Sequence, residues 1–349
     1  MGNRNKYDYR WRVVGKMSAY IKAISYYTPN QILSNVDLVR EFPEWTVEKV
    51  ANKVGIHQRY IASANETAGD MALKAAEKLF EEHEIDRNDV DFVLLCTQSP
   101  DYFLPSTACI LQDKLGLRQD IGAFDFNLGC SGFVYGLSVA NGLIAAGIAK
   151  NVLLLTSETY TKYLHPKDKG NRTIFGDAAS ATLVSTTGFA EIGEFVLGTD
   201  GSGYEQLIVK SGASRCPLIL NDIQFDENGN PTSSDHLFMN GPDIFTFTIE
   251  RVPTMVRDLL EKSGLSKDEI NLFIPHQANL YILEFLRKKM KIEKEKYYIN
   301  LANFGNTVSS TIPIALCEAR KEDRLYGNVL LAGFGVGLSW GGVILKINE

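Results

Sequence analysis

Cysteine is scarce in this sequence and shows no pairing. The five residues Cys96, Cys109, Cys130, Cys216 and Cys317 are odd in number and contain no Cys-x-x-Cys spacing. Neither a disulfide framework nor a zinc knuckle is indicated, and the usage points to a reducing, cytoplasmic compartment. An excess of positive charge is also missing. The formal net charge is -6, and no basic run carries interleaved aromatic residues, so no nucleic-acid partner is expected. The opening residues Met1-Gly2-Asn3-Arg4-Asn5-Lys6 hold no apolar core and carry charge through Lys16. They read as neither a secretory signal nor a myristoylation site, and residues 1–16 are expected to be an N-terminal extension. Long apolar runs are nearly absent as well. The exception, residues 126–149, is uncharged but contains Asn127, Ser131, Ser138, Asn141 and five glycines. It reads as a helix buried between two sheets, not as a membrane span. Metal ligation is likewise not expected, because Pro231 stands where the calcium-loop-like cluster 226–231 would need glycine.

What is present, 45% hydrophobic and 22% charged residues over 349 positions, belongs to a folded α/β chain. Residues 91–95 and 151–155 are short β-rich runs of the kind buried on both faces, while residues 71–83 and 243–263 are amphipathic at helical spacing. The two halves follow one itinerary. The acidic turn and strand at 89–95 recur at 269–275, the strand at 150–155 recurs at 326–331, and each half closes on a small-residue run, 178–185 and 341–347. The boundary is placed near Thr187-Gly188, giving halves 17–187 and 188–349.

Three short segments carry chemistry: Asn127-Leu128-Gly129-Cys130-Ser131-Gly132, Pro275-His276-Gln277-Ala278-Asn279, and Phe304-Gly305-Asn306-Thr307. Cys130 stands at the start of the long buried helix, where unpaired N–H groups and the positive dipole end favour a thiolate. His276 ends an apolar strand, where α/β folds place ligand groups. Each residue alone also has a plain reading: a packed cysteine, a structural histidine and an N-cap asparagine. In the duplicated scheme, Cys130 and Asn306 begin equivalent helices and His276 ends the strand before the second, so one pseudo-twofold axis unites them. The segment 333–341 fails as a dinucleotide fingerprint, and its glycines suit a close backbone approach instead.

Gly-Cys-Ser-Gly, Pro-His-Gln-Ala-Asn, Phe-Gly-Asn-Thr and Gly-Phe-Gly-x-Gly-x-x-Trp-Gly occur in this order, together with Asn171-Arg172-Thr173-Ile174-Phe175-Gly176-Asp177-Ala178. Over residues 19–349 the chain resembles the β-ketoacyl-acyl-carrier-protein synthase III family of the thiolase superfamily. The resemblance implies a five-layer αβαβα fold, a homodimer and no cofactor. It implies Cys130 as acyl-accepting nucleophile, His276 and Asn306 as donors to a malonyl thioester oxygen, and the N–H groups of Cys130 and Val336 as oxyanion hole. Asparagine at 306 sets the chain apart from relatives that use glutamate there as an acid/base. The partners implied are acyl carrier protein, an acyl-coenzyme A or acyl-carrier donor, and malonyl carrier protein. Trp45, Lys53, Lys169, Arg172, Asn279, Lys288 and Lys289 fall at substrate- or carrier-binding places, and Leu104 at an acyl pocket closed across the dimer. Lys53, Lys169 and Tyr281 stand where arginines commonly hold the coenzyme A nucleotide, and the stretch 45–55 is longer than usual. Two rivals keep the scaffold but change the role: an acyltransferase to an oxygen or nitrogen nucleophile in a specialised pathway, and a silent acyl- or carrier-binding subunit.

Overall fold

Capping chemistry and buried β-rich runs set most of the elements. In the first half these are strand β1 (Tyr20–Tyr27), helices α1 (Asn35–Glu41), α2 (Val47–Val54) and α3 (Ala68–Glu82), and strand β2 (Phe92–Cys96). They continue with α4 (Thr107–Lys114), β3 (Gly122–Phe126), α5 (Gly132–Ala145), β4 (Asn151–Glu158) and β5 (Ala178–Ser185). The second half has β6 (Ala190–Thr199), α6 (Gly241–Ser263), β7 (Ile270–Pro275), α7 (Leu280–Lys289), α8 (Thr311–Lys321), β8 (Asn328–Gly335) and β9 (Ser339–Ile347). The structure, a computed structural model, describes residues 18–227 and 229–348. The extension expected at 1–16 lies outside the described residues.

The helix boundaries have local causes. Thr67 and Asp70 form a reciprocal capping box at the start of α3. The Asn240 side chain accepts the Asp243 N–H at the start of α6, Pro242 occupies its first turn, and Gly264 ends it in the left-handed region. The stretch 45–55 folds as α2, capped by Thr46 and ended by Gly55.

Nine strands form one sheet in the order β7-β8-β9-β6-β1-β5-β4-β2-β3. In the first half β4, β2 and β3 are parallel, and β5 and β1 follow antiparallel. The second half repeats the pattern: β7 runs parallel to β8, and β9 and β6 follow antiparallel. The place corresponding to β3 is held by a single parallel bridge between Phe273 and Tyr297. The two half-sheets join where Tyr20 faces Glu191 and Ile21 faces Ala190.

Helix α5 packs against strands of both halves, including β4, β5, β8 and β9, and α8 lies against β1 and β7. Helices α3 and α6 cover the outer faces. Phe133, Val134, Leu137 and Ile144 of α5 are fully buried with Leu154 and Leu331, each large apolar side chain contributing about 2 kcal/mol through removal from water. Among the described residues no helix is long and apolar enough to cross a membrane. The layering carries the ends of β3, β7 and β8 to one side of the central helices, where the three chemical segments meet.

Candidate active site

Cys130 lies in the turn between β3 and α5, just before the helix-starting Ser131, and is 5% exposed. The Ser131 and Ser339 hydroxyls, 2.7 Å apart, tie that turn to the start of β9. The end of β8 passes directly beneath the sulfur. A Cβ at Gly335 would lie 2.9 Å from Cys130 Sγ, so no larger residue fits there without displacing the sulfur.

His276 follows β7, and its backbone N–H donates to the Ala332 carbonyl at 2.7 Å. Its ring stands edge-on to Phe334, with centroids 5.4 Å apart and an 83° interplanar angle. Nδ1 lies 2.7 Å from Thr311 Oγ1.

Asn306 is fastened through its backbone to the segment 171–178: its N–H donates to Ile174 O at 2.9 Å, and its carbonyl accepts the Gly176 N–H at 3.0 Å. Gly305 precedes it at φ 70, against the Ile174 carbonyl. Val308 adopts φ 55, rare for a β-branched residue, and its N–H donates to Asn306 Oδ1 at 2.9 Å. The amide is thereby oriented with Nδ2 facing His276 Nε2 at 3.5 Å.

Cys130, His276 and Asn306 all line one cavity of about 380 Å³. Its walls are mostly apolar, including Ile174, Phe175, Leu207, Met239, Ile244 and Ile282, and Tyr281, 61% exposed, stands at its rim.

Burial governs the electrostatics. It pushes the Cys130 thiol up to about 12, helped by the nearby Glu158 carboxylate and opposed by the neighbouring backbone N–H groups of Cys130 and Val336. The expectation that the helix start favours a thiolate is corrected by this balance, because dehydration of the sulfur outweighs the N–H groups. Glu158, fully buried on β4, is itself pushed up to about 8 by burial, against hydrogen bonds from Ser99, Gln98 and Ser309. Burial drives His276 down to about 3. At neutral pH the centre therefore holds a thiol, an uncharged imidazole and a carboxamide.

Of the residues expected at substrate- or nucleotide-binding places, Asn279 and Tyr281 line the cavity, and the Asn279 side-chain oxygen accepts the Ile282 N–H at 3.0 Å as the cap of α7. Lys53 lies over the Trp45 ring, 5.6 Å from its centroid. Lys169 is paired with Glu44, and Arg172 forms a two-pronged pair with Glu41 at 2.5 and 3.1 Å. Lys288 and Lys289 lie in the last turn of α7. Leu104 is 81% exposed and does not line the cavity of its own chain. Sequence reasoning missed Thr311, Phe334 and Glu158. A charged residue ending a strand whose middle is Val-Leu-Leu-Leu is a readable signal for Glu158, whereas threonine at a helix start is too ordinary to single out.

Residues 124–201 match the family model described as 3-oxoacyl-[acyl-carrier-protein (ACP)] synthase III, and residues 260–347 match its C-terminal model. The β-ketoacyl-[acyl-carrier-protein] synthase III of Clostridium perfringens (strain ATCC 13124) is 38% identical over 324 residues, 92% of this chain and 97% of that protein. A crystal structure of a 3-oxoacyl-(acyl-carrier-protein) synthase III is 47% identical with TM-score 0.92, covering 95% of this chain and 100% of the other. The 3-oxoacyl-(acyl-carrier-protein) synthase of Burkholderia xenovorans LB400 is 34% identical with TM-score 0.87, covering 95% of both. With its thiolase-like fold and this likeness along nearly the whole chain, the protein belongs to the 3-oxoacyl-acyl-carrier-protein synthase III family.

Proposed function

We propose that this chain is an acyltransferase that catalyses the initiating condensation of fatty acid synthesis, joining an acyl thioester to malonyl-acyl carrier protein. The observation that carries the roles is the convergence of Cys130, His276 and Asn306 on one mostly apolar cavity.

Cys130 gives up its proton and attacks the acyl thioester; the C–S bond to the donor breaks, and the departing thiolate takes a proton. The cavity's apolar wall excludes water, protecting the acyl-enzyme from hydrolysis. Malonyl carrier protein then places its thioester oxygen against His276 and Asn306. Its C–carboxylate bond breaks, carbon dioxide leaves, and the electron pair passes into an enolate held by the two N–H donors. The enolate carbon attacks the acyl carbonyl. The N–H groups of Cys130 and Val336 receive the tetrahedral oxyanion, which collapses to the 3-ketoacyl product and expels the Cys130 thiolate, which regains a proton from solvent. A neutral imidazole suits this work, because one ring N–H can hydrogen-bond the oxygen without adding a full charge, and the Asn306 carboxamide donates hydrogen bonds but is too weak an acid to give up a proton.

The same reading has the chain working as a cytoplasmic homodimer, with residues 17–187 and 188–349 as two copies of one unit. The exposed Tyr102, Phe103 and Leu104 supply an apolar patch suited to a subunit contact, and Lys288 and Lys289 supply charge for an acidic carrier. Trp45, Lys53, Lys169 and Arg172 are surface groups of the donor side; the ties of Lys169 and Arg172 to Glu44 and Glu41 leave less free charge for a nucleotide phosphate.

The test is stepwise. Acyl-coenzyme A and acyl-carrier donors are offered first, then malonyl carrier protein, with intact mass and carbon dioxide followed. Acylation mapped to Cys130, then discharged as a 3-ketoacyl product with carbon dioxide, is expected, and both should disappear in Cys130→Ala. Acylation without carbon dioxide release would instead indicate transfer to another acceptor.

A further inference from the structure

The donor role of His276 requires the proton to sit on Nε2, the nitrogen beside Asn306, and something must place it there. Among the described residues Nδ1 has one partner, Thr311 Oγ1 at 2.7 Å, and both side chains are buried. The Thr311 hydroxyl has one proton and two oxygen or nitrogen neighbours to choose between, Nδ1 and the Val308 carbonyl at 3.0 Å. That carbonyl already accepts the backbone N–H of Thr311. It needs no second donor, whereas a bare Nδ1 has no other. The 2.7 Å separation is also the usual length for a hydroxyl donor and shorter than the common ring N–H contact. On the far side of the ring, the 3.5 Å gap between Nε2 and Asn306 Nδ2 is too long for one to hydrogen-bond the other well, and is what two donors aimed at a common acceptor would leave.

We infer that the Thr311 hydroxyl donates to His276 Nδ1 and so fixes the tautomer with its proton on Nε2, making Thr311 a positioning residue for decarboxylation. If the hydroxyl turned to Val308 O, the proton would move to Nδ1, and Nε2 would present a lone pair to the developing enolate oxygen. One hydroxyl rotation thus separates a competent ring from an incompetent one. The consequence for rate rests on the function proposed above; the tautomer itself does not.

The full-length chain is prepared with 15N-labelled histidine as wild type, Thr311→Val and Thr311→Ser, and the His276 ring nitrogens are assigned by comparison with a His276 variant. Ring-nitrogen shifts distinguish protonated from bare nitrogen, and acylation of Cys130 is followed separately from carbon dioxide release. Wild type should show bare Nδ1 and protonated Nε2. T311V, nearly the same shape, should lose that preference and release carbon dioxide at least about tenfold more slowly while Cys130 still accepts acyl groups; T311S should keep both properties. A wild-type proton on Nδ1 overturns the inference even if T311V does not fold, and so does a T311V protein with wild-type tautomer and rate. A protein that shows the Nε2 tautomer yet never decarboxylates malonyl carrier protein would keep this assignment and remove the proposed function.

Discussion

At the residue scale, the centre uses burial to keep its groups uncharged, and this has a signed consequence for stability. His276 is held near 3 in the folded chain, against about 6.5 for an exposed histidine. Between those values the unfolded chain binds a proton that the folded chain does not, so this residue removes stability as pH falls from about 6.5 toward 3. Wild type should therefore lose stability relative to His276→Gln over that window, measured by urea unfolding at stepped pH; parallel curves would contradict the buried neutral ring. Cys130 behaves in the same spirit at the alkaline end. With its thiol pushed up to about 12, its alkylation by iodoacetamide should keep accelerating through the ordinary thiol range near pH 8.5, and a plateau near pH 7 would mean an activated thiolate in the resting enzyme. Cys130, His276 and Asn306 were legible in the sequence because a thiol, an imidazole and a carboxamide each sat among glycines or at a strand end. The helix start can be read from sequence, whereas the burial of the sulfur, completed by strands from the other half, cannot.

At the element scale, Asn279 shows how a residue type can suggest two roles and the local geometry assign its oxygen to one. Its side-chain oxygen caps α7. Asn279→Ala should cost about 1 kcal/mol of stability, and Asn279→Ser, which can still cap, should recover most of it, read as shifts in denaturant midpoint. A raised KM for the acyl donor in both variants, with unchanged stability, would instead assign the residue to substrate. Most strands were legible because they are continuous buried runs, and Ala178–Ser185 matches its expected span. Helix α2 was not singled out, because it is only two turns long; it places Lys53 over Trp45 and not in the cavity. The left-handed Val308, which orients Asn306, was invisible for a simpler reason: nothing in valine announces that conformation.

At the scale of the whole molecule, the repeated strand order and the two residue pairs joining β1 to β6 were only partly foreseeable; the itinerary was legible, but not that one bridge at Tyr297 would stand for a strand. The apolar patch of Phe103, 87% exposed, with Leu104 beside it, should be covered by a second copy. Light scattering should give twice the chain mass, and Phe103→Asp should shift it toward one; a wild-type protein that stays monomeric at working concentration would remove the dimer from the reading. The approach of Gly335 to Cys130 also orders events during synthesis. The sulfur leaves the ribosome long before β8 and β9 exist, so the nascent chain carries an open thiol with neither its glycine floor nor the Ser339 tie to Ser131. The enclosure around Cys130 closes only when the last strands pair, and a chain released early would leave its sulfur open to solvent.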